Sequence, residues 1–374
     1  MDKDTGKAVK DANGEKITSS VEFVAEDTDG SVDVKFNFDG TNLGGKILVA
    51  FEKLYYGEKL YGTHADLEDE EQTMYVPEVE TVALNKETET HHALADGTVE
   101  LLDTVKYRNL LPGRNYTLHG MIVEKETGNP VSEERTLEFV PEKSEGSVEL
   151  GFEISADELC GKTIVVYEEI KADGKSIAEH KDPEAKEQSI YFPEIGTKAL
   201  DENSKTQEGE AKEKQKIIDQ ITYKNLLPDE TYVLKGVLMD KETGKELLDE
   251  NGKRVTAGIS FVPENEEGTI EMTFELDARR LAGKSVVVFE RLYDEEEHLI
   301  AKEEDIENAD QTVLYRKQEI PKNTIVEKPG HNSKEVRKSP KTGDENRMDL
   351  WLVMLCVFGI AVVTEIVIYK RRNR

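Results

Sequence analysis

Three similar stretches recur along the chain at intervals of more than 100 residues. In each, an apolar run ends in a glutamate and a glutamine follows about 20 residues later: Glu52 with Gln72, Glu168 with Gln188, and Glu290 with Gln311. The glutamines lie 116 and 123 positions apart. A solenoid repeat takes roughly 20 to 50 residues, so this longer period fits a whole β-sandwich module. The sequence therefore predicts a tandem array of small domains.

The glutamate that closes each apolar run is predicted to point into the protein. Residues two apart on a β-strand share a face, so Glu168 lies on the side of Ile164 and Val166. Glu52 and Glu290 hold the same place in the other copies. The residue that follows differs in all three copies, as expected of a solvated position: Lys53, Glu169 and Arg291.

A second inward acid is predicted in each complete repeat. Asp103 shares its strand face with Val105 and Tyr107, and Asp219 holds the same place in the later copy. Alternation of apolar and polar residues with Gly and Asn punctuation fills most of the chain, which is typical of short antiparallel strands; examples are VEFVA (21–25), VDVKFNF (32–38) and YTLHGMIV (116–123). Apart from residues 201–216, a polar insertion predicted to be a loop, the repeats read as strands and turns.

Composition limits the size of the cores and the kinds of partner. A 37% hydrophobic and 34% charged chain of 374 residues supports two or three modest cores. A formal net charge of −30 argues against nucleic acid as a partner, because phosphates require a basic surface. The two cysteines, Cys160 and Cys356, lie in unrelated contexts and indicate no disulfide framework.

The repeats divide the chain into segments. Met1–Lys7 (MDKDTGK) matches Met239–Lys245 (MDKETGK) in the middle of the last repeat, so we expect the chain to begin inside a module of a longer protein. The predicted segments are the second half of a repeat (1–76), two complete repeats (77–193 and 194–315), an extended linker (316–338) and a C-terminal segment (339–374).

The C-terminal segment has three parts in a fixed order. The pentapeptide SPKTG at 339–343 is followed by an apolar run at 350–369 and a basic tail. About 20 apolar residues can span a bilayer as a transmembrane helix, and the basic tail is expected to stay cytoplasmic. Glu365 lies inside the run and makes it a poor permanent anchor.

This tripartite segment resembles a sortase cell-wall sorting signal of Gram-positive bacteria. The resemblance implies that sortase cuts between Thr342 and Gly343 and joins Thr342 to peptidoglycan. Ser339 stands where leucine is usual in the LPXTG pattern, so the sortase class is left open. The implied location is the extracellular face of the cell wall, reached after transient membrane anchoring through 350–369.

The repeats resemble VaFE-type modules, also described as Thr–Gln ester-bond domains of surface adhesins. The resemblance rests on the openings PEVETVA and PEIGTKA, the segments DTVKYRNLLPG and DQITYKNLLPD, the AFE, VYE and VFE strand ends, and the glutamine strand. It implies an all-β fold of tandem immunoglobulin-like (Cna B-type-like) β-sandwiches. It further implies intramolecular esters that join Thr81 to Gln188 and Thr197 to Gln311.

The same resemblance gives the inward acids a role. Glu168 with Asp103, and Glu290 with Asp219, are expected to relay protons while threonine attacks the glutamine amide and ammonia leaves. It also implies a helper histidine eight residues before the glutamine, which His64 and His180 satisfy.

Two copies depart from the implied pattern. Glu303 occupies the histidine position of the last repeat, so its ester is expected to form slowly or not at all. The first copy keeps Glu52, His64 and Gln72 but has no threonine strand, so Gln72 is expected to stay unpaired within this chain.

Other interpretations remain open from the residues alone. A threonine on a strand usually does no more than favour β-structure. Lys198 beside Thr197 suggests a Lys–Asn isopeptide bond instead of an ester, although Val82 holds that place in the other copy. The acidic loops leave calcium open but show no spaced ligand motif, and no metal site or cofactor is predicted.

The expected function is a wall-anchored surface protein whose modules form an adhesin stalk, with a host or matrix ligand at a distal tip outside this sequence. It is not expected to be an enzyme beyond its own single-turnover crosslinking. The alternatives are a wall-bound hydrolase with paired carboxylates and a sortase-polymerised pilin subunit.

Overall fold

The computed structural model describes residues 1–317. Most of the predicted linker, the sorting signal with Thr342 and Gly343, and the predicted transmembrane helix at 350–369 lie outside the described residues. Among the residues that are described, no helix is both long and apolar enough to cross a membrane. The described helical structure consists of two 3₁₀ turns, Lys186–Gln188 and Ala278–Leu281.

The first complete module is a β-sandwich of two antiparallel sheets. Its strands follow the stretch of residues 1–76, which holds β1 (Ile47–Val49), β2 (Glu52–Tyr56), β3 (Lys59–His64) and β4 (Thr73–Tyr75). The module itself contains β5 (Glu78–Asn85), β6 (Thr98–Arg108), β7 (Tyr116–Glu124), β8 (Arg135–Phe139), β9 (Gly146–Ser155), β10 (Thr163–Ala172), β11 (Lys175–His180) and β12 (Ser189–Tyr191). One sheet has the order β5-β6-β9; the other has β11-β10-β7-β8, with β12 also paired to β10.

The second complete module repeats this arrangement. Its strands are β13 (Glu194–Asp201), β14 (Glu208–Glu210), β15 (Gln215–Lys224), β16 (Tyr232–Asp240), β17 (Lys245–Glu246), β18 (Thr256–Phe261), β19 (Gly268–Leu276), β20 (Lys284–Tyr293), β21 (Leu299–Glu303) and β22 (Thr312–Arg316). The sheet β13-β15-β19 corresponds to β5-β6-β9, and β20 takes the central place of β10. The polar insertion at 201–216 was predicted to be a loop. This prediction is wrong in part, because β14 lies within it and pairs in parallel with β22.

Alternating burial along the strands builds a separate core in each module. In β6, buried and less buried residues alternate along almost the whole strand, which puts every second side chain between the sheets. The core of the first complete module includes Ile164 and Val166, and that of the second includes Val286 and Val288, all without exposed surface. The predicted inward face of these strands is therefore confirmed, while Val165 and Val287 on the opposite face are buried as well.

An asparagine in the tight bend after β6 or β15 fixes each module to the one before it. Asn225 Nδ2 donates hydrogen bonds to the carbonyls of Lys162 (2.6 Å) and Phe192 (3.2 Å), and Thr163 Oγ1 donates to Asn225 Oδ1 (2.8 Å). The backbone of Asn225 has a φ of 59°, a left-handed conformation that asparagine tolerates better than most residues.

The preceding junction is built in the same way. Asn109 also has a φ of 59°, and its Nδ2 donates to the carbonyls of Lys46 (3.3 Å) and Val76 (3.0 Å). We call Asn109 and Asn225 the junction asparagines.

Residues 1–76 form only part of a sandwich. The predicted strands VEFVA (21–25) and VDVKFNF (32–38) are absent: both segments lack strand pairing and are largely exposed. In the last module the equivalent strands β18 and β19 pair with β16 and β15. Residues 1–76 contain no segment equivalent to β15. Only Met1 and Asp2 correspond to β16, and they match the end of that strand. The prediction failed because strands need a ladder partner as well as an alternating sequence.

Candidate functional site

Strands from both sheets bring four polar side chains together inside each complete module. In the first of these modules, neighbouring strands β5 and β6 supply Thr81 and Asp103, whereas β10 in the opposite sheet supplies Glu168. Gln188 ends the 3₁₀ turn that precedes β12. Thr81 is 4% exposed and the other three are 0% exposed. The inward orientation predicted for Glu168 and Asp103 is what the structure has.

Glu168 contacts both the threonine and the glutamine. The hydroxyl of Thr81 donates to Glu168 Oε2 at 3.2 Å, and Gln188 Nε2 donates to the same oxygen. The carbonyl oxygen of the Gln188 side chain is buried and accepts no hydrogen bond from the described residues. One carboxyl oxygen therefore holds a hydroxyl and a carboxamide side by side in a buried site.

The second complete module has the same cluster, with a direct contact between its threonine and glutamine. Gln311 Nε2 lies 2.9 Å from Thr197 Oγ1 and 2.7 Å from Glu290 Oε2. Thr197 Oγ1 in turn donates to Glu290 Oε2 at 3.3 Å. Asp219 on β15 completes the set, and Asp219, Glu290 and Gln311 are fully buried. The structure thus brings together all four side chains predicted for this module.

The two carboxyls of each site form a coupled acid pair. Burial raises the pKa of Glu168, and the nearby Asp103 carboxyl raises it further; burial also raises the pKa of Asp103. The Glu290 and Asp219 pair is shifted in the same direction for the same reasons. Neither oxygen of Asp103 or Asp219 accepts from any described N–H or O–H group. A proton shared between the two carboxyls gives one oxygen of each a partner, and with both pKa values raised each pair holds at least one proton at neutral pH.

The predicted helper position lies opposite the glutamate on the neighbouring strand. His180 is the register partner of Glu168, and His64 is the register partner of Glu52. His180 Nδ1 is buried and has no described partner, whereas His64 pairs with Asp69 at 2.9 Å. In the last module Glu303 stands opposite Glu290, as its sequence position predicted, and accepts a hydrogen bond from Asn308.

Half of the cluster is present within residues 1–76. Gln72 Nε2 donates to Glu52 Oε2, as the matching residues do in the complete modules. The other polar atom of this side chain, Gln72 Oε1, is buried and has no partner among the described residues. We refer to Glu52 and Gln72 as the half-site.

Glycines opposite the glutamates were not identified from the sequence. Gly120 on β7 is the register partner of Glu168, and Gly236 on β16 is the register partner of Glu290. A Cβ at Gly120 would overlap the ends of the Leu150 and Phe152 side chains, so any other residue would have to displace them from the core beside the acid. The repeated glycine in YTLHGMIV and YVLKGVLM was the available signal.

One cluster among the described residues has ligand types that suit a metal ion. Donor atoms of Asp294, Glu296 and His298 lie within 4.8 Å of one another. The His298 ring and backbone already hydrogen bond to Asp294, at 3.0 and 2.7 Å, within one turn. These contacts account for the cluster as a satisfied turn.

Comparison with known proteins identifies the repeats. The family described as "T-Q ester bond containing domain" matches three times, at residues 1–76, 77–192 and 193–315. A comparison with curated proteins found no match.

Several solved structures show weak similarity. A Mobiluncus mulieris adhesin with disulfide, isopeptide and ester crosslinks is 16% identical with a TM-score of 0.30, covering 57% of this chain and 80% of its own. The C-terminal domain of the Streptococcus agalactiae AgI/II polypeptide BspA is 9% identical with a TM-score of 0.29, covering 60% and 97%. Similarity at this level shows neither the function nor the partners of this chain. The family match, which spans most of the sequence, is sufficient: the chain belongs to the family of proteins built from T-Q ester bond containing domains.

Proposed function

We propose that each complete module closes an ester between its threonine and its glutamine, Thr81 with Gln188 and Thr197 with Gln311. The observation that carries this proposal is the contact of Gln311 with both Thr197 and Glu290, where Gln311 and Glu290 are fully buried and Thr197 is partly buried. Proximity of this kind lowers the entropic part of the activation barrier, because the hydroxyl and the carboxamide are already held together before they react.

The acids supply the proton transfers. Glu168 Oε2 accepts the Thr81 proton as Oγ1 attacks Cδ of Gln188, and the carbon–nitrogen bond then breaks. The amide nitrogen leaves as ammonia after taking up a proton from the acid pair. Hydroxyl and carboxamide become ester and ammonia, so no oxidant, metal or cofactor is needed. His180 is proposed to assist from the neighbouring strand, and Glu303 to make the second site slower.

The proposed ester joins the first and last strands of a module. It closes a loop of over 100 residues, which the chain-entropy model for disulfides values at roughly 4 to 5 kcal/mol. Cysteine oxidation is not required for this stabilisation.

At the scale of the cell, we propose that these modules are immunoglobulin-like, Cna B-type-like sandwiches in the stalk of a Gram-positive surface adhesin. The sequence SPKTG supports attachment by sortase to peptidoglycan through Thr342, and the apolar run at 350–369 supports transient membrane anchoring before that step. A host or matrix ligand would be bound outside the residues described. Full burial of the acid pairs favours reaction within the module over turnover of an external substrate.

Mass spectrometry of the intact full chain tests the ester. We expect the wild-type chain to weigh two ammonia less than its formula, Thr81→Ala or Thr197→Ala one ammonia less, and the double variant its full formula mass. Proteolytic fragments should show Thr81 linked to Gln188 and Thr197 linked to Gln311. A wild-type chain at full formula mass would refute the proposal, and loss of one ammonia through Gln188 alone would show that the Glu303 site is inactive.

A further inference from the structure

A short segment after the first strand of each complete module lies beside the strand that directly follows the glutamine. We call β5 and β13 the threonine strands and β12 and β22, each with the glutamine that precedes it, the glutamine strands. In the first of these modules the chain turns back at Asn85, whose N–H donates to the carbonyl of Thr90 at 2.9 Å, and His92 then pairs in parallel with Tyr191. In the next module the same turn joins Asp201 to Thr206 at 2.8 Å, and β14 pairs in parallel with β22. We call residues 90–92 and 206–210 the return segments.

One side chain of each return segment reaches the backbone next to the glutamine. His91 Nδ1 lies 3.0 Å from the carbonyl oxygen of Ser189, the residue after Gln188. Because a carbonyl only accepts hydrogen bonds, Nδ1 must carry the proton. The His91 carbonyl also accepts from the N–H of Tyr191 at 2.8 Å, so this residue holds the glutamine strand at two points.

Gln207 holds the matching place in the other module and makes more of the same contacts. Its Nε2 donates to the carbonyls of Asp310 at 3.0 Å and Thr312 at 3.2 Å, on either side of Gln311, and also contacts the carbonyl of Ala309. Its own carbonyl accepts from the N–H of Leu314 at 2.9 Å. Two chemically different side chains thus make equivalent contacts at equivalent positions.

The topology explains why such a contact matters. The threonine strand belongs to one sheet and the glutamine strand to the other, so no continuous backbone ladder sets the distance between Thr81 and Gln188. In the second complete module a single backbone hydrogen bond, from the Ala199 N–H to the Asp310 carbonyl at 2.9 Å, joins the two. Attack requires reacting atoms about 3 to 3.5 Å apart, and a displacement of about 1 Å can cost about 100-fold in rate. The return segment continues directly from the threonine strand and grips the glutamine strand, so it can fix this distance.

We propose that His91 and Gln207 are positioning residues for ester formation, which hold the reactive glutamine in register with the threonine of their own module. This inference rests on the proposed function. Neither side chain contacts the reacting atoms; each acts through the backbone that carries the glutamine. The necessary property is an N–H donor of the right reach, which imidazole and carboxamide share.

A pulse of cell-free synthesis of the full chain, followed by quenching in acid denaturant at intervals, measures the rate. Mass spectrometry of the proteolytic fragments then reports each ester separately. We expect His91→Ala to slow the Thr81–Gln188 ester at least about tenfold, and to leave the Thr197–Gln311 ester at its wild-type rate. Gln207→Ala should do the reverse, so each variant carries its own internal reference.

Exchange of the two natural side chains separates positioning from mere stabilisation. His91→Gln keeps an N–H donor and is expected to crosslink within about threefold of the wild-type rate, whereas His91→Ala is not. His119→Ala, which removes a surface histidine of the same module, is the matched control and should have no effect. Melting temperatures in a Thr81→Ala background, where no ester forms, show whether His91→Ala still folds.

Three outcomes overturn the inference while leaving the proposed function intact. The first is a wild-type ester rate in His91→Ala; the second is failure of His91→Gln to restore the rate; the third is a loss of rate in His91→Ala that merely follows loss of folding in the Thr81→Ala background. By contrast, absence of any ester in the wild-type chain would refute the proposed function itself.

Discussion

A single carboxyl oxygen of each complete site accepts hydrogen bonds from both partners of the proposed ester. Glu168 Oε2 receives the Thr81 hydroxyl and the Gln188 amide, while the neighbouring Asp103 carboxyl keeps the pair protonated. An oxygen so placed can take a proton from the nucleophile and return one to the leaving group. The glutamate should therefore matter more to the reaction than its partner aspartate.

Replacement of Glu168 by glutamine should abolish the ester of its module. The amide keeps the size of the side chain but cannot accept the Thr81 proton, and general-base effects are worth roughly 100- to 10,000-fold in rate. Fragment mass spectrometry of the full chain should then show unlinked Thr81 and Gln188. The matched control is Glu169→Gln, one residue along on the outer face, which should crosslink normally. An ester formed at the normal rate in Glu168→Gln would remove the glutamate from the mechanism.

The acid pairs also predict a pH dependence of folding when the ester is absent. In a Thr81→Ala, Thr197→Ala chain, the buried acids have higher pKa values in the folded protein than in the unfolded protein, where the values are near 4. Their contribution to stability is therefore fully present below about pH 4. It is lost as the pH rises through the folded pKa values. Urea unfolding should therefore give a lower stability at pH 8 than at pH 4.5, by more than about 1 kcal/mol.

The control for this effect is the same chain with Asp103→Asn and Asp219→Asn. Amides do not ionise, and they remove the carboxylate beside each glutamate, so the loss of stability with pH should shrink. An unchanged slope would place the pH dependence in the many surface carboxylates instead.

Among individual residues, the inward acids were predicted well from the sequence, because alternation along a strand assigns each side chain to one face. The protonation of the pairs follows from burial, which the same alternation implies. The contacts of His91 and Gln207 could not be predicted, because they depend on where a return segment of irregular backbone places two unlike side chains.

Between the strands, glycine controls how closely the sheets pack beside the acids. Gly120 faces Leu150 and Phe152 across the core of its module, where no added carbon fits. Gly236 faces Met272 and Phe274 in the same way in the next module. These strands therefore tolerate a glycine in a position where glycine normally weakens a sheet.

Replacement of Gly120 by alanine should destabilise its module by roughly 1 to 3 kcal/mol, as overpacking of a core does. Chemical unfolding in the Thr81→Ala background, where the ester does not mask the effect, measures the change. The control is Gly151→Ala on β9, since a Cβ there meets only one backbone oxygen at 4.0 Å. Equal stabilities of the two variants would contradict the assigned packing.

The strand elements were predicted best where both ladder partners lie within the described chain. β5, β6, β7 and β10 occupy the segments that the apolar alternation indicated, whereas VEFVA and VDVKFNF do not form strands. Alternation reports which face of a strand is apolar, but it carries no information about whether a partner strand is present. For the same reason the short parallel strand β14, which is largely polar, was predicted as a loop.

Along the chain, successive modules are joined by the same contact at both junctions. The side chain of each junction asparagine donates hydrogen bonds to two backbone carbonyls of the preceding module. In each pair, one carbonyl comes directly before a strand (Lys46 before β1, Lys162 before β10). The other comes directly after the strand paired with it (Val76 after β4, Phe192 after β12). The position of the repeats could be predicted from the sequence, but this contact could not.

Replacement of Asn225 by alanine should weaken the coupling between the two complete modules. It removes the three hydrogen bonds of the Asn225 side chain and leaves alanine in a left-handed conformation that asparagine tolerates better, at a combined cost of roughly 1 to 3 kcal/mol. Calorimetry of the Thr81→Ala, Thr197→Ala chain should show the transitions of the two modules moving apart. Asn251→Ala, in a surface turn, is the control, and identical calorimetric traces for both variants would show that the junction carries no coupling.

The half-site in residues 1–76 has a consequence for the order of events in a complete module. Glu52 and Gln72 meet although the threonine strand and the second acid are missing, so this part of the site needs only a local segment of chain. Thr81, by contrast, reaches Glu168 from 87 residues away. The bond can therefore close only after the two ends of the module have met. Each proposed ester would be a permanent record that its module had completed folding.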